Sequence, residues 1–393
     1  MPERVDSPAI PATAHAARAL FDLPADVLHL DCAARCPRLR SALAAGCDAL
    51  QSDVAPWRLD EATWLASIER VRTRVAALLG DVADGIALVP SVAYGLATAA
   101  RNLPLARGDA VLVEETSFPS NLLTWQQRCA EVGARLVVAR RRPGTDAADA
   151  MLAAFDANPR IRIVAIAPTH WVDGALLDLD RIAARAQAAG AALVLDLSQS
   201  LGVLPVQIAR WQPAFVVSVG HKWLLGPGGL AYLWAAPAWR EQGHAIEQHW
   251  SARAPDDGWH FADDVPPSLR AGARRFDAGG VATSQALMMA DAGMAQVQAW
   301  GADNIASRLG MLTATLDAAL DAHGLGAWST PRHAPHLVGL VPPANCFGRA
   351  VAALRAGGII CTARYGRLRI APHLHVDDAD MQRVADVLAS VGR

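Results

Sequence analysis

Seven short apolar runs between residues 86 and 234 constrain this chain more than any other feature. They read IALV (86–89), AVLVE (110–114), ARLVVA (134–139), IRIVAIAP (161–168), AALVLDL (191–197), FVVSV (215–219) and GLAYLW (229–234). Most are rich in Val, Ile and Leu and lack polar alternation, as strands buried on both faces do. Amphipathic stretches separate several of them. DLDRIAARAQAAGA, for example, has apolar positions at helical spacing and ends on a glycine. Strands alternating with helices predict an α/β architecture with a mostly parallel seven-stranded sheet.

The pattern changes after about residue 283. Helix-like runs appear in TSQALMMADAGMAQVQAWG, NIASRLGMLTATLDAALDAHG and DDADMQRVADVLASVG, with short strand candidates HLVGLV, GIICTAR and RLRIAP between them. This predicts a smaller α+β domain. The expected division is an N-terminal segment 1–45 packing with the small domain, a large domain 46–282 and a small domain 283–393. A chain of 393 residues has room for both. No internal repeat is evident.

Net charge is −2, and the basic cluster at Ala139 to Gly144 is short and lacks aromatics, so no nucleic-acid surface is expected. No run reaches the length of a membrane span, and the first residues have no apolar signal core, so a cytoplasmic protein is expected. The six cysteines are scattered, and Cys32 and Cys36 do not form a C-x-x-C pair. The histidines in RHAPH and PHLH have no carboxylate or cysteine frame, so no metal is expected.

Ligands of a parallel α/β sheet sit beyond the carboxyl ends of its strands. Ser91 and Val92 follow the first run at an expected helix start, where free backbone N–H groups suit a phosphate. Phe118 follows the second run at a loop-to-helix turn. Asp196 ends an otherwise apolar strand, and Ser218, His221 and Lys222 lie at the end of the next. Lys222 is the only lysine; every other basic residue among the 36 lysines and arginines is an arginine. A guanidinium replaces an ammonium wherever only charge is needed, but it cannot lose its proton and attack a carbonyl. A phosphate cradle, a stacking ring, a buried acid and one lysine together suit pyridoxal phosphate.

The order and spacing resemble the fold-type I pyridoxal-phosphate enzymes of the class V aminotransferase group. That group includes cysteine desulfurases, kynureninases and isopenicillin-N-epimerase-like proteins. The resemblance covers roughly residues 28 to 391 and rests on LDLSQSLG, GHKWLLGPGG, RRFDAGG and RLRIAPHLH. It implies a Schiff-base and proton-shuttle role for Lys222, pairing of Asp196 with the pyridine nitrogen, and contact of Gln199 on the ring hydroxyl side. His221, Ser91, the Val92 backbone and Ser218 would reach the phosphate, Phe118 would stack on the ring, and Arg369 would clamp the substrate carboxylate. Two departures stand out. Trp171 stands where the group has an asparagine, so its indole N–H, or alternatively His170, would serve the ring oxygen. Gly280 replaces a threonine that reaches a neighbouring subunit's phosphate. The nucleophilic cysteine loop of desulfurases has no counterpart, and Cys361 lies too early to supply it.

An aminotransferase acting on an amino acid is the first expectation. A carbon–sulfur lyase or other β/γ-elimination enzyme is the second and an epimerase the third. A non-enzymatic pyridoxal-phosphate-binding module would have little reason to keep one lysine. The segment Glu247 to Asp264 is expected to form a substrate-facing lid through His249, Trp250 and Trp259. The resemblance also implies a homodimer with shared active sites.

Overall fold

A computed structural model describes residues 10–11, 13–141, 145–254, 261, 263–281 and 283–392. The seven apolar runs form one sheet. Its strands are β2 (Ile86–Val89), β3 (Ala110–Glu114), β4 (Arg135–Ala139), β5 (Ile161–Ile166), β6 (Ala192–Asp196), β7 (Phe215–Val219) and β8 (Ala231–Ala235), following a short β1 (Leu28–His29) outside it. The order across the sheet is β2-β8-β7-β6-β5-β3-β4, and only β8 runs against the others. The ends of β2, β3, β6 and β7 therefore share one edge.

Both faces are covered, which explains the unbroken apolar runs. Alternate residues serve opposite layers. Ile86, Leu88, Leu112 and Leu195 pack with Val71 and Val75 of helix Glu61–Leu79 and with Leu287 and Met294 of helix Ser284–Trp300. Ala87, Val89, Val113 and Val217 pack with Leu96 of helix Val92–Asn102 and Trp125 of helix Pro119–Val132. A one-residue slip would exchange these faces, so burial on both sides holds the register.

The second core lies under an antiparallel sheet of β9 (Val338–Leu340), β11 (Thr362–Arg364) and β12 (Arg367–Ile370), in the order β11-β12-β9. GIICTAR was expected as one strand, but it divides into β10 (Ile359–Ile360) and β11. β10 pairs in parallel with β1. Phe21, Leu28 and Leu30 share this core with Leu316, Leu368 and Leu388. Helix Ala344–Ala356, unforeseen in the sequence, buries Cys346, Ala350 and Leu354 there.

Candidate active site

A cavity of about 340 Å³ opens at the shared strand edge, between the sheet and the β11–β12 hairpin. Lys222 and His221 line it from the turn after β7, and Asp196, Ser198 and Gln199 line it from the end of β6. Ser91, Val92 and Ala93 contribute the start of helix Val92–Asn102. Ser91 caps that helix by accepting from the Tyr94 N–H at 3.1 Å, which leaves the first N–H groups of the turn unpaired within the helix. Phe118 is the residue before helix Pro119–Val132, where Pro119 suits the first helical position. Its ring centroid lies 5.5 Å from Lys222 Nζ.

Burial sets the protonation of this group. Desolvation pushes the Lys222 amine down to about 8, against the opposing pull of Asp196 and with help from Arg369. Desolvation raises the Asp196 carboxyl, opposed by hydrogen bonding from Ser198 and by the charge of Lys222. Asp196 Oδ1 accepts the Ser198 N–H at 2.9 Å. His221 is pushed down to about 4, first by desolvation and then by Lys222, so its imidazole is neutral at pH 7. Gln199 is held between Ala33 O, to which it donates at 2.9 Å, and Trp223 Nε1, from which it accepts at 2.9 Å; one amide hydrogen remains.

Several sequence-based expectations need correction. Ser218 does not line the cavity. It lies on β7, is 2% exposed, and donates weakly to Val219 O, while Val219 takes the lining position because successive strand residues face opposite ways. His170 does not line the cavity either. Its Nδ1 donates to Asp173 Oδ1 at 2.6 Å and its Nε2 lies 2.9 Å from Thr116 Oγ1, so both nitrogens are engaged elsewhere. Trp171 does line it, but its indole N–H donates to Thr116 O at 2.8 Å and leaves only the ring to face a ligand. Arg369 lines it with both terminal nitrogens engaged: one donates to Asp31 Oδ1 at 2.9 Å and the other to Trp171 O at 3.1 Å.

Gly280 stands at a separate cavity of about 250 Å³ with Trp64, His249 and Trp250. His249 and Trp250 of the expected lid therefore face that space and do not line the Lys222 cavity, while Trp259 lies outside the described residues. Cys361 is not among the lining residues, and burial pushes its thiol up to about 11. Sequence reasoning missed Ala33 and Ala34, which enter from the N-terminal segment, and also Ser120, Ser198 and Arg364. Ser198 could have been suspected from its place in DLSQ, two residues after Asp196 and next to Gln199. The arginine hairpin had its own signal in the compact RYGR turn.

The site and sheet define a class before any relative is considered: a lysine-bearing α/β enzyme with an anion cradle at a helix start. A family model described as Aminotransferase class-V matches residues 60–342, and the chain belongs to that family, whose members carry pyridoxal phosphate. It is 30% identical over 277 residues to a kynureninase of Deinococcus radiodurans, spanning 67% of this chain and 63% of that protein. It is 30% identical over 185 residues to a probable cysteine desulfurase of Mycobacterium leprae, spanning 45% of this chain and 43% of the relative. These stretches cover less than two thirds of either relative. Two solved structures share the fold. One is a C-DES variant with glycine covalently linked to its cofactor, with TM-score 0.85, 19% identity, and coverage of 95% of this chain and 99% of that one. The other is a cysteine desulfurase of Thermococcus onnurineus, with TM-score 0.83, 18% identity, and coverage of 97% and 98%.

The donor set fits the cofactor. Lys222 Nζ is a desolvated amine with no hydrogen-bond acceptor among the described residues, which suits a carbonyl partner. Asp196, a buried carboxyl fixed by hydrogen bonding from Ser198, lines the same cavity, which suits a protonated ring nitrogen.

Proposed function

We propose that this chain is a pyridoxal-phosphate-dependent aminotransferase acting on a small amino acid. The carrying observation is Lys222 and Asp196 in one cavity with an open helix start and no cysteine in its lining. Lys222 Nζ would hold the cofactor and Asp196 would pair with its ring nitrogen. The N–H groups of Val92 and Ala93, with neutral His221, would take the phosphate. Phe118 would cover one ring face, and Gln199 would offer its spare amide hydrogen to the ring hydroxyl. Bound there, the cofactor supplies a carbonyl for the substrate amine and a ring that withdraws electrons from the bond to be broken.

Lys222 would then take the proton from the substrate Cα as base and deliver it as acid to the carbon that the cofactor contributes, the shift that transamination needs. An amine at about 8 is part neutral and part charged near neutral pH, which is what proton transfer in both directions needs. Arg369 would hold the α-carboxylate, with Asp31 keeping its guanidinium in place.

A second reading is elimination from a cysteine-type substrate, favoured by the cysteine desulfurases among the relatives. A desulfurase that passes sulfur to its own thiol lacks one in this cavity. Incubation with an amino-acid panel, with and without 2-oxo acids, tests the proposal. Acceptor-dependent formation of a new amino acid supports transamination. Release of pyruvate or sulfide without an acceptor refutes it in favour of elimination, and racemised substrate refutes it in favour of epimerisation.

The division at 45/46 and 282/283 is also proposed, supported by the shared core of Phe21, Leu28 and Leu368. A homodimer is proposed as well; Val54 and Trp57, 78% and 79% exposed, are apolar surface that a second copy would cover. Among the described residues, no helix is long and apolar enough to cross a membrane.

A further inference from the structure

The β11–β12 hairpin carries three arginines, and two of them have a carboxylate. Arg369 is paired with Asp31, whose other oxygen accepts from Thr362 Oγ1. Arg367 has its Nε 4.0 Å from Asp173. Arg364 has neither a hydrogen bond nor an ion pair among the described residues, yet it lines the Lys222 cavity.

The hairpin holds this arrangement despite its cost. Arg364 and Arg367 stand directly opposite each other, a like-charge pair that disfavours the ladder. The two turn residues, Tyr365 at φ 47° and Gly366 at φ 70°, have the positive φ of the tightest hairpin turns. Glycine takes that conformation freely, but a tyrosine in it is strained. The Tyr365 ring meets Trp171 edge-on at 5.9 Å, and Trp171 is itself anchored to Thr116 O. A tight, strained turn thus sets at the cavity rim a guanidinium with no counterion among the described residues, close enough to Arg369 to add to the lowering of its proton affinity that burial causes first. A guanidinium fork is shaped to grip a carboxylate with two parallel hydrogen bonds.

We propose that Arg364 is a specificity residue that takes a second carboxylate, so that the substrate is a short amino acid whose side chain ends in an acid. This rests on the function proposed above. In that arrangement Arg369 takes the α-carboxylate and Arg364 the distal one. A cavity of about 340 Å³ lies at the small end of ligand pockets, which favours a short side chain.

The test uses ligands without an amine, so that binding is read without turnover. Holoenzyme is titrated calorimetrically with succinate and glutarate and with monocarboxylates of equal chain length, in wild type and in Arg364→Gln and Arg364→Lys. Wild type should bind the better dicarboxylate at least about 10-fold more tightly than its monocarboxylate, equivalent to ~1.4 kcal/mol. Arg364→Gln should erase that preference with monocarboxylate affinity unchanged, and Arg364→Lys should recover part of it. Equal affinities in wild type, or equal loss for both ligands in Arg364→Gln, overturns the inference. Weaker retention of pyridoxal phosphate by Arg364→Gln also overturns it, since the arginine would then serve the cofactor phosphate. Visible absorbance measured beforehand separates the two readings. Protein that takes up no cofactor refutes the proposed function and this inference with it. Yellow protein without a dicarboxylate preference refutes this inference alone.

Discussion

Three buried histidines should make this protein labile to mild acid. His336, His373 and His375 lie behind Lys222 in the small-domain core, all 0–1% exposed. Desolvation is the main cause that pushes each down to about 3, from an ordinary value near 6.5. The folded pKa lies below the unfolded one, so their contribution to stability is complete above pH 6.5 and is lost as pH falls through that value. Each pH unit below it costs about 1.4 kcal/mol per histidine kept neutral in the fold. Between pH 7.5 and 5.0 that is ~2 kcal/mol each and ~6 kcal/mol for the three. Glu114 acts in the opposite sense. Burial raises its carboxyl to about 7, so the folded state takes up a proton over the same range and returns ~2 kcal/mol. For these four groups together the loss of ~4 kcal/mol is a large share of a typical folding free energy.

His373 isolates the effect. Neither of its ring nitrogens has a partner among the described residues, and Trp223, Trp300 and Phe21 surround it. His373→Leu should therefore strand no hydrogen-bond partner. Urea denaturation followed by tryptophan fluorescence at pH 7.5 and 5.0 should show a pH-dependent loss smaller by ~2 kcal/mol in the variant than in wild type. Equal pH dependence in the two proteins would refute the reasoning.

Three further outcomes follow from the geometry. Gly174 has φ 73°, and an added Cβ would stand 1.9 Å from Leu337 O, so Gly174→Ala should cost ~2–4 kcal/mol, read as a lowered urea midpoint. Asp196→Asn keeps an acceptor for the Ser198 N–H but removes the charge, and should lower kcat by about 100-fold or more; turnover within a few-fold of wild type would contradict the role assigned to Asp196. With the Lys222 amine at about 8, the rate of cofactor uptake by apoprotein should rise about 10-fold from pH 7 to 9 and then level off; a rise continuing past pH 10 would mean an unperturbed lysine.

Much of this architecture was readable in the sequence because burial on both faces leaves an unambiguous mark. All seven apolar runs became strands, with edges shifted by at most a few residues. Lys222, Asp196, Phe118 and Ser91 could be grouped because each ends or follows a strand, and parallel strands deliver their ends to one edge. What escaped depends on register and on contacts distant in sequence. Ser218 and Val219 differ only in which way a strand residue faces. The indole N–H of Trp171 was free on paper, but the turn at Thr116 brings a carbonyl to it. Arg369 looked unpaired until Asp31, 338 positions away, closed on it. Arg364 could be seen as a charge, while its lack of a counterion among the described residues appeared only once its neighbours had theirs.

The central claim is that Lys222 holds pyridoxal phosphate, and having a single lysine makes the test direct. Purified protein should be yellow, and borohydride should bleach the colour and fix the cofactor covalently. Peptide mapping should then find the added mass on the peptide containing Lys222, while Lys222→Ala should carry none. Colourless protein that takes up no added cofactor, or reduced protein with Lys222 unmodified, would contradict the account.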